Sequence, residues 1–181
     1  EDTEQLFFHV ATQVLGKSVL GSGDTAIDLM PPWERLTVKE AWQRYTGIDL
    51  DRCRDVEALR REGQAINVQY LLDTDSYDEV YFKIFLSLIE PELGKGRPTI
   101  LMEYPAGMAA LARLKPDDPS VALRFEVYAA GLELGNAFDE LTDADLQVER
   151  CKDAQQEQIA MGKLPFPIDD DFINALRDGI P

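Results

Sequence analysis

The apolar positions of this chain alternate between helical and strand spacing, and the switches mark its elements. Leu6, Phe7, Val10 and Val14 recur at helical spacing, with Gly16 placed to stop the helix. Over residues 18–30 the pattern becomes short apolar runs around Gly21-Ser22-Gly23-Asp24, which predicts a strand hairpin. Pro31-Pro32 then interrupts the chain before Trp33. Thr37-Val38-Lys39-Glu40 has capping-box spacing and opens a helix to about Tyr45, with Val38, Ala41, Trp42 and Tyr45 on one face. A short charged helix is expected over residues 56–64. Ser76-Tyr77-Asp78-Glu79 repeats the capping box and opens the most apolar helix, striped by Val80, Tyr81, Ile84, Phe85, Leu88 and Ile89.

Beyond Pro91 and Gly94 the spacing turns to strands. Residues 98–104 read as one strand ended by Pro105, and a loop through Lys115, Pro116, Asp117, Asp118 and Pro119 leads to a strand pair over 121–128 and 132–138. A strongly polar helix is expected over 144–161, stopped by Gly162. A last short helix starts near Asp169 and carries Phe172, Ile173 and Leu176. Helices mixed with hairpin-connected strands make the fold class α+β, an antiparallel sheet flanked by helices. There is no internal repeat and no internal linker, so residues 1–181 are expected to form one domain.

Composition narrows the partners. Against 18 basic side chains stand 34 acidic ones, a formal charge of −16. With 45% hydrophobic and 9% aromatic residues the chain is a folding one rather than an acidic disordered one. That charge argues against gripping nucleic acid through phosphates or docking on an anionic membrane. No apolar run approaches the about 20 residues needed to span a bilayer, and no basic-then-apolar leader is visible. Cys53 and Cys151 lie far apart without a CxxC or Cys/His pattern, which suits a reducing compartment and a cytoplasmic location.

Most standard catalytic patterns are missing. Gly94-Lys95-Gly96 lacks the earlier glycine of a phosphate loop, and Gly21-Ser22-Gly23 is a bare GxG; both read as turns. The only histidine, His9, sits among Phe7, Phe8 and Val10 and reads as a half-buried structural residue. The unusual segment runs from Arg124 to Glu140. With Ala130-Gly131 as a two-residue turn, Tyr128 faces Glu133, Val127 faces Leu134, and Glu126 lies diagonally from Glu133 on the same sheet face. Such a pair repels itself unless a divalent cation such as magnesium intervenes, or unless both acids simply face water. Asn136 has the wrong parity for that face, so a pocket shared with Glu133 requires a bulge at Gly135.

The run Gly131-Leu132-Glu133-Leu134-Gly135-Asn136-Ala137-Phe138-Asp139-Glu140-Leu141-Thr142-Asp143 resembles the late catalytic segment of class II lysyl-tRNA synthetases. It resembles still more their shortened paralogues, the ligases that attach β-lysine to elongation factor P. Pro31-Pro32-Trp33-Glu34-Arg35-Leu36-Thr37-Val38, Tyr104-Pro105-Ala106 and the run from Leu111 to Pro119 support the likeness, which extends over nearly the whole chain. It implies an antiparallel catalytic domain that uses ATP and Mg2+ to activate a lysine-type amino acid as an adenylate. It also implies roles: Glu126 and Glu133 hold magnesium and ATP, Asn136 orients the amino acid, Phe138 lies beside its aliphatic chain, and Glu140 receives its ammonium. A buried carboxylate is a natural partner for that charge. Asp143 is expected to cap the following helix and Arg113 to form a sheet-edge ion pair.

Gly135, Ala137, Asp139 and Gly107-Met108 depart from the ligase pattern, while Leu141-Thr142-Asp143 favours the ligases over the synthetases. The resemblance makes residues 1–181 a partial catalytic domain, between the second and third class II motifs, whose arginines contact ATP. The chain by itself is therefore expected not to catalyse ATP–pyrophosphate exchange, since such charge clamps are a main catalytic term. The first motif, which builds a dimer interface, also lies outside it, and the whole protein is expected to be a homodimer. Elongation factor P is the expected acceptor. The alternatives are a fragment of a lysyl-tRNA synthetase, with tRNA as acceptor, and a non-catalytic binding module.

Overall fold

Two reciprocal caps fix where the central helices begin. Thr37 Oγ1 accepts the Glu40 N–H at 3.1 Å while the Glu40 carboxylate accepts the Thr37 N–H at 2.8 Å. Ser76 and Glu79 repeat the exchange at 3.3 and 2.7 Å. In this computed structural model, which describes residues 1–179, these caps open α2 (Val38–Thr46) and α4 (Tyr77–Ile84). The other helices are α1 (Asp2–Val10), α3 (Val56–Ala65), α5 (Ala144–Ala160) and α6 (Asp170–Asp178). One π-helical turn, Ala11–Leu15, extends α1 to the left-handed Gly16, and another, Phe85–Ile89, extends α4. Short strands β1 (Val19–Leu20) and β2 (Ile27–Asp28) form the expected hairpin.

The main sheet contains β3 (Glu34–Thr37), β4 (Thr99–Pro105), β5 (Leu114–Lys115), β6 (Asp118–Ala129) and β7 (Leu132–Phe138). The long β6 pairs with β4 on one edge; β5 and then β7 share the other. These pairings are antiparallel, as expected. The β3–β4 pair is parallel, and its connection carries α2, α3 and α4, the long crossover that parallel neighbours require. The stretch read as a loop over residues 115–119 is instead a tight turn, and β6 starts at Asp118.

Side-chain alternation gives the sheet two apolar faces. Leu101, Tyr104 and Tyr128 join Val38, Trp42, Leu59, Tyr81, Ile84 and Phe85 under the helices. Ile100, Val127 and Ala129 join Ala11, Ile27, Leu29 and Trp33 on the reverse. The stripe on α1 behaves differently from its sequence pattern. Leu6, Val10 and Val14 are exposed, and the helix is held by Glu4, Phe7 and Ala11. Glu4 accepts the Trp33 N–H at 2.7 Å and two Arg35 N–H bonds at 2.7 and 3.1 Å, while Phe7 meets Trp33 edge-on. Helical spacing located α1, but the buried Glu4 carboxylate and its half-exposed partner Arg35 chose its inner face. At the other end, α5 and α6 pack together through Ala144, Ile173 and Leu176. Among the described residues no helix is long and apolar enough to cross a membrane.

Candidate active site

Glu126 lies on β6 where the apolar layer under the helices ends. It is 6% exposed, and four donors converge on its carboxylate. Tyr104 and Tyr128 donate their hydroxyls to Oε2 at 2.5 Å each. Arg124 donates to Oε1 at 2.6 Å, and Asn136 to the same oxygen at 3.2 Å. Burial, together with the Glu126 charge, holds both tyrosines well above the ordinary phenol range, so they remain protonated donors.

Two irregularities deliver these donors. Tyr128 faces Glu133 as expected, but Val127 faces Gly135 rather than Leu134, and this one-residue shift sets Asn136 opposite Glu126. The bulge needed to turn Asn136 onto the acid face is therefore present. A second shift lies between Met102 and Tyr104, where Glu103 takes a φ of 58°. It pairs Tyr104 with Ala122 instead of Leu123, so the phenol reaches the same face. The extra residue lies on β7 (Leu134) in the first irregularity and on β6 in the second, and the two register shifts set Asn136 and Tyr104 within reach of Glu126.

Arg124 ties the arrangement together. One nitrogen of its fork donates to the Met108 carbonyl at 2.8 Å, its Nε to Asn136 Oδ1 at 3.3 Å, and its guanidinium lies 4.5 Å from the Tyr104 ring centroid. Glu133 is exposed and has no ion-pair partner among the described residues. Its carboxyl is raised above the ordinary range, first by partial burial and then by the Glu126 charge, with Arg124 opposing. Glu90 is raised too, by burial and by Glu126. The structure therefore separates the acid pair: Glu126 is buried and saturated, Glu133 open and without an ion-pair partner among the described residues. Among the described residues no group of three or more His, Cys, Asp and Glu side chains forms a self-contained metal cage.

The remaining candidates continue along β7. Phe138 faces Arg124 and is half-buried against the cluster of Ala109, Ala112 and Ala122. Glu140, just beyond the strand, is exposed and bridges to Ala112 through the backbone. Asn136, Phe138 and Glu140 share strand parity, so they step away from Glu126 over roughly 13 Å. Asp143 caps α5 by accepting the Asp145 and Leu146 N–H groups at 3.0 Å, and Arg113 pairs with Asp139, both as expected. His9 is a correction: it is exposed rather than half-buried, because α1 turns Glu4, Phe7 and Ala11 inward. Cys53 is buried, Cys151 half-buried, and both are free thiols.

Sequence reasoning gave no role to Arg124, Tyr104 or Tyr128. Parity alone would have found Arg124 and Tyr128, two residues either side of Glu126. Tyr104 carried no such signal, since its strand register depends on the Glu103 irregularity.

The helix-flanked sheet thus presents a buried acid, an open acid and an asparagine along β6 and β7, in an α+β architecture. The family model for class II tRNA synthetases (D, K and N) matches residues 1–181, and the chain belongs to that family. Its relatives include the lysine–tRNA ligase of Thermoanaerobacter sp. (strain X514), 35% identical over 186 aligned positions that cover 100% of this chain and 36% of that protein. The lysine–tRNA ligase of Moorella thermoacetica is 33% identical over 178 positions, 98% of this chain and 36% of that protein. The elongation factor P–(R)-β-lysine ligase of Klebsiella pneumoniae subsp. pneumoniae is 36% identical over 151 positions, 83% of this chain and 46% of that protein. The chain spans about a third of the length of the lysine–tRNA ligases it matches.

Proposed function

We propose that this chain supplies the amino-acid pocket and acid pair of an ATP- and magnesium-dependent ligase for a lysine-type amino acid. The observation that carries the reading is the row Asn136, Phe138, Glu140 leading away from Glu126 and Glu133. Asn136 meets the head of the amino acid, Phe138 flanks its four-carbon stem, and Glu140 takes the terminal ammonium as a charge-assisted partner. Both kinds of relative carry a lysine-type amino acid in their names.

The acid pair suits a hard divalent cation. Its donors are carboxylate oxygens, and Glu133, opposite Tyr128, lies diagonally from Glu126 on one sheet face, a concentration of negative charge that a cation relieves. Magnesium characteristically uses one or two carboxylates together with substrate phosphates. On this reading Glu133 would ligate magnesium, with the buried Glu126 charge behind it, and the ion would neutralise charge on the phosphates of ATP. Arg124 and the two tyrosines hold the Glu126 carboxylate in place, and Asn136 is oriented before substrate arrives.

Elongation factor P is the proposed acceptor, favoured by Leu141-Thr142-Asp143 and weakly by the charge of −16. A second reading, transfer to tRNA, is favoured by coverage: the lysine–tRNA ligases match 98–100% of the chain, and the Klebsiella ligase 83%. Calorimetric titration of lysine and of (R)-β-lysine tests the pocket. Glu140→Gln is expected to weaken binding by about tenfold or more, the loss of one charged hydrogen-bonded partner. Unchanged affinity would remove Glu140 from the site. Labelled lysine offered with either acceptor to the whole protein, with its flanking segments, separates the two readings.

A further inference from the structure

Glu126 has no vacancy. A carboxylate offers about four lone-pair directions, and here Arg124, Asn136, Tyr104 and Tyr128 take them all. A cation could touch Glu126 only by evicting one of these. Arg124 is the least removable, because three of its contacts do not involve Glu126: the Met108 carbonyl, the Asn136 amide oxygen and the Tyr104 ring. Its side chain is 17% exposed, so the guanidinium charge is only partly screened. Glu133 faces the opposite situation, exposed and without an ion-pair partner among the described residues.

Resting on the acid-pair reading above, we propose that Arg124 is the resident cation of the pair. It occupies Glu126 Oε1, leaves Glu133 as the carboxylate that meets a divalent ion directly, and makes that ion bind weakly unless anionic phosphates accompany it. Arg124 is thus a positioning residue. Through Glu126 and Asn136 it fixes the site, and through its charge it discriminates a bare metal ion from a metal–polyphosphate. A bare dication is repelled by the nearby guanidinium, whereas phosphate oxygens are attracted to it. Without Arg124 the pair would carry two uncompensated charges and would collect metal ions alone.

The probe is Mn2+ alone, titrated into the 181-residue chain and followed by the paramagnetic resonance of the free ion. Arg124→Gln is expected to tighten Mn2+ binding by about fivefold or more, and Arg124→Lys, which keeps the charge, to stay within about twofold of the parent. Glu133→Gln is expected to weaken binding by about tenfold, because it removes the open carboxylate. Equal or weaker binding by a folded Arg124→Gln chain overturns the proposal, as does tightening by Arg124→Lys. Should Arg124→Gln not fold, the Arg124 Nε–H resonance of the parent decides: it persists through a Mg2+ titration if the guanidinium stays, and its loss overturns the proposal. Absence of Mn2+ binding in the parent and every variant would instead remove the acid pair as a metal site, a distinct failure.

Discussion

Asn136 stands directly opposite Glu126 across the β6–β7 ladder, its Nδ2 donating to Oε1 at 3.2 Å, because one extra residue lies between Glu133 and Gly135. The bulge does not depend on glycine's conformational freedom. Gly135 has no positive φ, and a Cβ added there would meet nothing within 4 Å. Gly135→Ala is therefore expected to change stability by less than about 0.5 kcal/mol and to keep the register, as read by denaturant unfolding and by amide contacts between Glu126 and Asn136. A large loss would mean that the bulge does rely on the glycine.

Gly94 is the contrasting glycine. Its φ is +74°, and a Cβ there would lie 2.5 Å from both the Ala129 Cα and the Tyr128 carbonyl oxygen. Its own carbonyl accepts the Ala130 N–H at 3.0 Å, and the Leu93 carbonyl accepts the Gly131 N–H at 2.8 Å. The β6–β7 turn is pinned there to the end of the helical layer. Gly94→Ala is expected to cost about 3 kcal/mol or more, since backbone must move and the φ is unfavourable. Thermal unfolding checks this, and a near-neutral result would show that the turn is free to shift.

Tyr81 and Trp42 are fully buried, their rings 4.7 Å apart, and neither Tyr81 Oη nor Trp42 Nε1 has a hydrogen-bond partner among the described residues. Removing one such orphan leaves the packing intact and drops a desolvation cost. Tyr81→Phe is expected to be neutral or stabilising by up to about 1 kcal/mol. Marked destabilisation would reveal a bound water or an unseen partner for the hydroxyl.

Local sequence chemistry carried most of the fold. Two capping boxes, the Asp143 and Asp169 caps, and period-2 runs located the helices and β4, β6 and β7. The parallel β3 escaped because Glu34–Thr37 is short and its partner is far along the chain. For the site, the hairpin turn at Ala130-Gly131 fixed the parity of Glu126 and Glu133, which made the bulge before Asn136 deducible. Tyr104 was not deducible, since nothing near Glu103 announces a positive φ. The burial of Glu126 against the exposure of Glu133 was equally hidden. It depends on how far the α2–α4 layer reaches over the sheet, a tertiary quantity that no local pattern encodes.

Glu4 anchors α1 to the sheet through Arg35 and the Trp33 N–H. Burial pushes its carboxyl up, but the Arg35 hydrogen bond and charge and the Trp33 amide outweigh this and hold it below its ordinary 4.5. A lowered carboxyl stabilises the fold above that value, and the contribution fades as pH falls through the folded pKa. Glu4→Gln is expected to cost about 2 kcal/mol at neutral pH, less than a fully buried pair because Arg35 is 39% exposed and can rehydrate. The gap from the parent should close in acid; one that persists at low pH would show that shape, not charge, holds the helix.

Glu133 carries the opposite sign. Partial burial and the Glu126 charge raise its carboxyl above the ordinary 4.5, so its ionised form opposes folding. The stability it permits is fully present below 4.5 and is lost as pH rises through the folded pKa. Glu133→Gln should consequently raise the melting temperature at pH 7, by less than about 1 kcal/mol in free energy because the group is exposed and screened. The difference should shrink to nothing as both chains are taken below pH 4.5, where Glu133 is neutral too. The same substitution removes the open carboxylate of the proposed metal site, so the more stable chain should be the weaker Mn2+ binder. Such a trade is expected where like charges are kept together for a ligand. Paired melting curves and Mn2+ titrations across this pH range check both halves, and a Glu133→Gln chain less stable than the parent at pH 7 would show that Glu133 is held by attractive contacts rather than strained against Glu126.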